Sequence, residues 1–397
     1  MTVPPDARAG RRRLGVAVVG AGMIAAVHRR AALLAGAEVH GVLASSPERS
    51  REVAADWGLE HGYPDLDALL ADERVDVVHV CTPNATHVRY AEAALRAGRH
   101  VVCEKPLATG VEDARRLTGL AAERGLVATV PFVYRYHPLV RELRARRLAG
   151  EFGRFHLLHG SYLQDWMLDP ETSGWRVDPE LGGASRAFAD IGSHWCDLVE
   201  WVSGERFTEV LAETSIAVPD RPVAGGPSFS GPATGEAATA EPAATASVRT
   251  EDAAAVLLRT AGGVLGSTLV SQVSAGRKNR LWFELDGERG SAVFDQENPE
   301  SVWLGAPEGA RVLVRDPSQG SAEQRRLSRL PAGHAQGYAD CFDSFVADTY
   351  AAIRGELDGE ARAGLPTFAD GLRSAHLVDA VLRSARAGAW TTVTEEG

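Results

Sequence analysis

Cysteine is scarce and scattered. The 397-residue chain holds four, Cys81, Cys103, Cys196 and Cys341, and no two stand in a CxxC pair. That spacing supports neither a disulfide framework nor a thiolate metal site. No metal is expected, and the thiols read as reduced and mostly buried, which points to the cytoplasm. Positive charge is also short: 42 Lys and Arg against 53 Asp and Glu leave a formal net charge of -11. A nucleic-acid backbone would be repelled overall and no strong basic patch offsets this, so no nucleic-acid partner is expected. The one dense basic run, Arg11-Arg12-Arg13, precedes a buried-looking strand and reads as a tail meeting it. A twin-arginine export signal would need a longer apolar stretch before a cleavage site. Long hydrophobic runs are missing as well: none approaches the ~20 residues that cross a bilayer, so no membrane role is expected.

What is present is ordinary globular composition, 45% hydrophobic and 24% charged, in a chain long enough for two domains. From residue 14 to 130, strand-like apolar runs (14–19, 39–44, 75–80, 100–103, 126–130) alternate with helical stretches (23–34, one opened by Ser46-Pro47, 86–97, 111–124). That alternation predicts a parallel sheet covered on both faces. Beyond Pro131 the rhythm changes. Strands are expected at 155–163, 209–216, 253–259, 264–271, 281–285 and 291–294, with turns at Gly262-Gly263 and Asp286-Gly287. Residues 219–245, rich in Pro, Gly, Ala, Ser and Thr, read as a mobile surface insertion, and helix returns over 338–385. The fold class is therefore α/β: a dinucleotide-binding domain over residues 1–131, then an α/β domain with an open, mostly antiparallel sheet over 132–397. The C-terminal helices are expected to pack back on the structure.

Gly20-Ala21-Gly22-Met23-Ile24-Ala25 follows the first strand and opens the first helix. Gly20 permits a tight turn, and Gly22 lets backbone amides approach a pyrophosphate. The small Ala25 keeps helix and strand close, while Met23 and Ile24 begin a helix whose N-terminus faces negative charge. This predicts a dinucleotide site. An acidic residue after the second strand would bind ribose hydroxyls and disfavour a 2′-phosphate, but the chain has Ala44-Ser45-Ser46 with Arg49 one turn on. Ser45, Ser46 and Arg49 suit a 2′-phosphate. Equally, Ser46 suits a helix cap and Arg49 a solvated side chain, so the reading leans faintly to NADP and leaves NAD open.

Glu104-Lys105-Pro106 stands after the fourth strand, at the sheet edge where such folds bind ligands. Lys105 is placed to hold an alcohol oxygen near a nicotinamide; composition alone would make it a surface lysine. In Asp190-Ile191-Gly192-Ser193-His194-Trp195-Cys196-Asp197, helical spacing puts Asp190, His194 and Asp197 on one face. A carboxylate beside a histidine suits proton transfer during hydride loss, although such pairs are more often structural when met alone. Trp166, Trp175 and Trp195 read equally as ring-stacking surfaces and as core.

Taken in order, the fingerprint, Cys81-Thr82-Pro83-Asn84 with His87, Glu104-Lys105-Pro106, Tyr134-Arg135 and Asp190/Gly192/His194/Asp197 resemble the Gfo/Idh/MocA family of sugar and cyclitol oxidoreductases, from about residue 14 to 381. The resemblance implies a Rossmann domain joined to an α/β domain used for dimerisation, giving a homodimer or homotetramer. It implies Lys105 as the active-site lysine, His194 as the proton-transfer residue and Asp190 as a ligand of a substrate hydroxyl. Thr82, Pro83, Asn84, His87 and Glu104 would line the cofactor; Arg176, beside Trp175, reads from the residues themselves as a ligand of substrate hydroxyls or of the cofactor. Tyr134, Gln164, Trp166, Lys278 and His334 are the further substrate-binding candidates. The chain departs from the pattern in lacking the acidic residue after the second strand and in the length of the 219–245 insertion. The expected activity is reversible oxidation of a secondary hydroxyl of a sugar, glycoside or cyclitol with NAD or NADP. The alternatives are a keto-sugar reductase and a non-catalytic dinucleotide-binding regulator, which would need neither Lys105 nor His194.

Overall fold

An apolar run buried along its whole length, Gly15–Val19, forms strand β1. The computed structural model describes residues 12–222 and 245–394. In it β1 is joined by β2 (Glu38–Leu43), β3 (His61–Gly62), β4 (Val77–Val80), β5 (His100–Cys103) and β6 (Ala128–Thr129) in one sheet of order β3-β2-β1-β4-β5-β6. Every pairing is parallel. Such a sheet is covered on both faces, which is why β1, β4 and most of β2 and β5 are buried along their length rather than in alternation. The covering helices are α1 (Met23–Leu34), α2 (Pro47–Trp57), α3 (Leu66–Ala71), α4 (His87–Arg96) and α5 (Val111–Glu123). Their starts are locally encoded: Ser46 caps α2 ahead of Pro47, and Asp65 caps α3.

Helix α6 (Pro138–Leu148) leads into a nine-stranded sheet built from β7 (Phe155–Leu163), β8 (Phe207–Ser215), β11 (Ala253–Thr260), β12 (Leu265–Ser271), β13 (Arg280–Gly287), β14 (Ser291–Asp295), β15 (Ser301–Ala306), β16 (Gly309–Val314) and β17 (Thr391–Thr392). Its order is β16-β15-β14-β13-β7-β12-β11-β8-β17, antiparallel except for β7 beside β12. Strands β9 (Asp220–Pro222) and β10 (Thr245–Ser247) pair separately and close the base of the 219–245 segment; residues 223–244 of that segment lie outside the described residues. The remaining helices are α7 (Pro179–Gly182), α8 (Ser193–Ser203), α9 (Ala322–Leu327), α10 (Tyr338–Ile353), α11 (Gly359–Ala363) and α12 (Phe368–Ala387). Helices α8 and α12 cover one face of the nine-stranded sheet. Helix α10 packs on α1 and α12 on α5, so the end of the chain braces the first sheet.

The other face of the large sheet is open. Along β11 and β12 burial alternates strictly, and the outward positions include Leu257, Leu265 and Leu269, with Trp303 exposed on β15.

The structure departs from the sequence reading at three points. Strands β3, β9, β10, β15, β16 and β17 and helices α3, α6, α7 and α9 were not expected; β16 is exposed along nearly all its length, so no alternation marks it. The strand expected at 126–130 shortens to two residues. Asp286-Gly287, expected as a turn, closes β13, and the chain reverses on the next two residues, where Gly287 N–H donates to Gly290 O at 3.0 Å.

Candidate active site

The C-terminal ends of β1, β2, β4 and β5 face the C-terminal end of β7 and the approach to β13 across a cleft of about 920 Å³, within the range of cofactor and small-ligand sites. Gly20, Gly22, Met23, Ile24, Ser45, Arg49, Thr82, Pro83, Asn84, His87, Glu104 and Arg176 all line it.

At the first-sheet end, Gly20 takes φ +111°, and a Cβ there would lie 2.4 Å from the Cys81 carbonyl oxygen, so only glycine fits between β1 and β4. A Cβ on Gly22 would meet no protein atom within 4 Å; it would project into open cleft. No side chain caps the N-terminus of α1 and no acidic residue sits in its first turn. Free amides at a twelve-residue helix N-terminus, with backbone able to approach closely, fit the pyrophosphate of a dinucleotide. Gly22→Val is therefore expected to weaken nucleotide binding more than about tenfold while leaving Tm within about 2 °C, as isothermal titration and thermal melts will read.

The loops behind the fingerprint are tied together by His87, whose Nε2 and Nδ1 each lie 2.8 Å from a carbonyl oxygen, of Thr82 and of Pro106. The Lys105–Pro106 peptide is cis. Asn84 Nδ2 donates to Gly182 O at 2.8 Å, joining this loop to α7.

At the centre of the cleft, Lys105 Nζ donates to the Asp190 carboxylate and, at 3.0 Å, to the Asp190 carbonyl. The other Asp190 oxygen accepts from Gln272 Nε2 at 2.8 Å. Burial pushes the Asp190 carboxyl up, but Lys105, Arg176 and the lysine hydrogen bond outweigh it and hold it down at about 2. An ammonium has three protons, so one on Lys105 is left to meet a ligand. His194 lies one turn on from Asp190, edge-on to Phe132 and Tyr134. Burial, then the Lys105 charge, pushes it well below the ordinary histidine value, against the pull of Asp190. Its Nδ1 is buried with no hydrogen-bond partner. Such an atom costs about 1–3 kcal/mol unless a ligand satisfies it.

Local sequence explains this arrangement. Phe188–Gly192 forms a π-turn running into α8, and a Cβ on Gly192 would sit 2.5 Å from the Phe188 ring. Asp190 lies inside this turn and His194 just beyond it, in the first turn of α8. Asp197, expected on the same face, does not join them. Its carboxylate is drawn instead to the buried Arg135, which also holds Asp370 at 2.7 Å.

The second-sheet end is a lattice of hydrogen bonds. Tyr134 and Tyr162 hydroxyls lie 2.5 Å apart, Tyr162 donates to Asn279 Oδ1 at 2.7 Å, Gln164 Nε2 donates to the same oxygen at 2.9 Å, and Trp166 Nε1 donates to Gln164 Oε1 at 3.0 Å. Lys278 reaches the mouth, where its ammonium donates to Asp165 at 2.7 Å. The Arg176 guanidinium stands 4.4 Å from the Trp175 ring centroid and 5.7 Å from that of Trp166.

Two of the candidate residues lie outside the cleft. Ser46 does not line the cleft; its hydroxyl accepts from Arg49 N–H at 3.1 Å as the cap of α2. His334 is exposed and away from the cleft, in a turn whose carbonyls are gathered by Arg315. Trp195, for which the sequence left core and ring-stacking equally open, is core, with its Nε1–H on the Trp282 carbonyl at 2.9 Å. Tyr162, Gln272 and Tyr338 were not foreseen. Tyr162 was within reach of sequence reasoning, since it stands two residues before Gln164 and a strand repeats its face every second residue. Gln272 and Tyr338 carry no local signal.

Fold and cleft together define an oxidoreductase with an NAD-binding Rossmann domain. Residues 14–132 match the model of an oxidoreductase family with an NAD-binding Rossmann fold, and residues 140–293 match the GFO/IDH/MocA C-terminal domain. The chain belongs to the GFO/IDH/MocA oxidoreductase family. It is 31% identical over 359 residues to levoglucosan dehydrogenase of Pseudarthrobacter phenanthrenivorans, covering 88% of each chain. A levoglucosan dehydrogenase structure in complex with NADH and levoglucosan superposes with a TM-score of 0.84 at 28% identity, over 97% of this chain and all of that one. An inositol dehydrogenase homologue from Azotobacter vinelandii, complexed with NADH and myo-inositol, gives 0.80 at 27% identity over 96% of this chain and 98% of that one.

Proposed function

We propose that this oxidoreductase oxidises a secondary hydroxyl of a sugar, glycoside or cyclitol, with Lys105, Asp190 and His194 at the reacting centre. The observation that carries the reading is the contact of Lys105 with Asp190 across the cleft, beside a neutral histidine whose buried Nδ1 lacks a partner. Levoglucosan and myo-inositol, bound by two structural neighbours, are polyols of this class. A nicotinamide bound along the first-sheet side of the cleft would supply the hydride acceptor for the carbinol carbon. Lys105 holds the hydroxyl oxygen with its spare proton, Asp190 accepts from a second hydroxyl and keeps Lys105 aimed, and His194 takes the hydroxyl proton as the carbonyl forms. Reduction of a keto-sugar uses the same groups with His194 returning the proton. Gln164, Trp166, Tyr134 and Lys278 hold the remaining hydroxyls and ring face, while Arg176, set against two tryptophans, meets the cofactor.

The first sheet, within residues 1–131, serves as the nucleotide unit, and residues 132–397 serve substrate binding and assembly. The open sheet face with Leu257, Leu265, Leu269 and Trp303 suits a second copy of the chain, giving a homodimer or a homotetramer. The four buried, unpaired cysteines suit the reducing cytoplasm.

With no carboxylate at the end of β2, Ser45 and Arg49 are placed to take a 2′-phosphate. Arg49 gives up only an exposed pairing with Glu52 at 3.0 Å to do so. Arg49→Ala is expected to weaken NADP at least about tenfold, one charge-assisted hydrogen bond's worth, and to leave NAD within about twofold. Equal effects on both cofactors would place Arg49 elsewhere.

The test of the function is reduced-nicotinamide absorbance with NAD and NADP separately, across a panel of sugars, anhydrosugars and inositols. Reduction with a polyol supports the reading. Nucleotide binding without turnover on any polyol or keto-sugar overturns it.

A further inference from the structure

From Glu104 in the cleft wall a buried chain of polar groups runs back into the protein. Glu104 Oε2 accepts from the Lys105 backbone N–H at 3.1 Å, and Glu104 Oε1 lies 3.0 Å from His28 Nε2. His28 Nδ1 lies 2.9 Å from His79 Nδ1, and His79 Nε2 lies 2.8 Å from the Tyr350 hydroxyl. His28, His79 and Tyr350 are completely buried, and Glu104 is nearly so. The four come from four places: the middle of α1, strand β4, the loop after β5 and helix α10.

Donor and acceptor counting fixes the direction of the first link. A carboxylate only accepts, so His28 must carry a proton on Nε2. With His28 neutral, its Nδ1 accepts from His79 Nδ1–H, and His79 Nε2 then accepts from Tyr350. With His28 charged, the last two links reverse. The His28-to-Glu104 donation is the same in both. The chain is satisfied throughout, and fully satisfied buried networks are rigid.

We infer that His28 is a positioning residue for the reaction: its Nε2–H fixes the Glu104 carboxylate, which fixes the Lys105 backbone and so the point where the ammonium meets Asp190. This rests on the reading of Lys105 and Asp190 above. The physical motive is tolerance: a displacement of about 1 Å at a reacting group, caused from outside the site, costs on the order of a hundredfold in rate. The fingerprint helix that meets the cofactor also carries His28, so the nucleotide and the lysine are placed by one element.

A comparison of two amides separates positioning from packing. In H28Q the amide nitrogen falls where Nε2 was and still donates to Glu104; in H28N it falls where Nδ1 was and does not. Neither titrates. The chain has only two lysines, Lys105 and Lys278, so protein labelled with [15N]lysine gives two backbone amide signals, assigned with Lys278→Arg. H28Q is expected to leave the Lys105 amide signal in place and kcat within about threefold. H28N is expected to shift that signal and lower kcat at least about tenfold, with nucleotide Kd within about threefold for both. Indistinguishable Gln and Asn variants, or a shifted signal with unchanged kcat, overturn the inference. Should H28N not fold, Glu104→Gln leaves one acceptor oxygen where His28 Nε2–H and the Lys105 N–H had one each; it is expected to shift the same signal and lower kcat at least about tenfold, and no change in either overturns the inference. If Lys105→Met retains full turnover, the reading of the reacting pair fails instead, and the amide signal still reports whether His28 sets the Lys105 loop.

Discussion

Lys105→Met is expected to lower kcat by about a thousandfold while nucleotide Kd stays within about threefold. The side chain keeps its length and packing but loses the ammonium. Two consequences follow from the geometry. The substrate oxygen loses its donor, and Asp190 keeps only Gln272 at 2.8 Å on a carboxylate that Lys105 had held far down. The carboxyl then rises with its burial, against the remaining pull of Arg176. Turnover measured with saturating cofactor, beside nucleotide titration, checks both halves. Loss of nucleotide binding in parallel with turnover would make Lys105 a cofactor ligand and not a reacting group.

His194→Ala is expected to cost about a hundred- to ten-thousandfold in kcat/KM for oxidation. The pH profile of the unaltered enzyme carries the sharper expectation. A base works only when neutral, so activity is lost as pH falls through its pKa. Burial, followed by the Lys105 charge, holds His194 well below the ordinary value. The acid limb of kcat/KM should therefore lie below about pH 6.5, and the profile should be flat from there through neutrality. In Lys105→Met one of the lowering causes is removed, and the limb of the residual activity should move up. An acid limb above about 6.5 in the unaltered enzyme would give the proton to another group.

Much of this site was legible because its chemistry sits in short local patterns. Gly20 and Gly22 bracket a turn whose steric demand is readable from neighbouring elements, and Glu104-Lys105-Pro106 follows a strand end. Asp190 and His194 stand four apart at the entry to a helix. Other parts were illegible for physical reasons. Asp197 was misplaced because helical spacing says which face a side chain shares, not which buried arginine will claim it, and Arg135 lies sixty-two residues away. Ser46 was offered two roles by sequence, and the free N–H of Arg49 decided for the cap. His334 followed a turn signal correctly and a functional one wrongly. Gln272 and the His28–His79 pair are tertiary facts: each partner lies at least fifty-one residues off, and nothing in either neighbourhood announces it. Strand β16 shows the same limit in the fold. Exposed on both faces, it owes its place to pairing with β15 and not to a buried pattern.

The most direct test of the central claim follows the hydride itself. A polyol found active in the absorbance panel is deuterated at its carbinol carbons and turned over, and the reduced nicotinamide is examined by mass spectrometry and NMR. Deuterium recovered on one face of the nicotinamide ring, with a primary isotope effect that persists in the slowed Lys105→Met enzyme, is the expected result. Deuterium appearing in water, or unlabelled reduced cofactor, would contradict direct transfer from a carbinol carbon held by Lys105, Asp190 and His194.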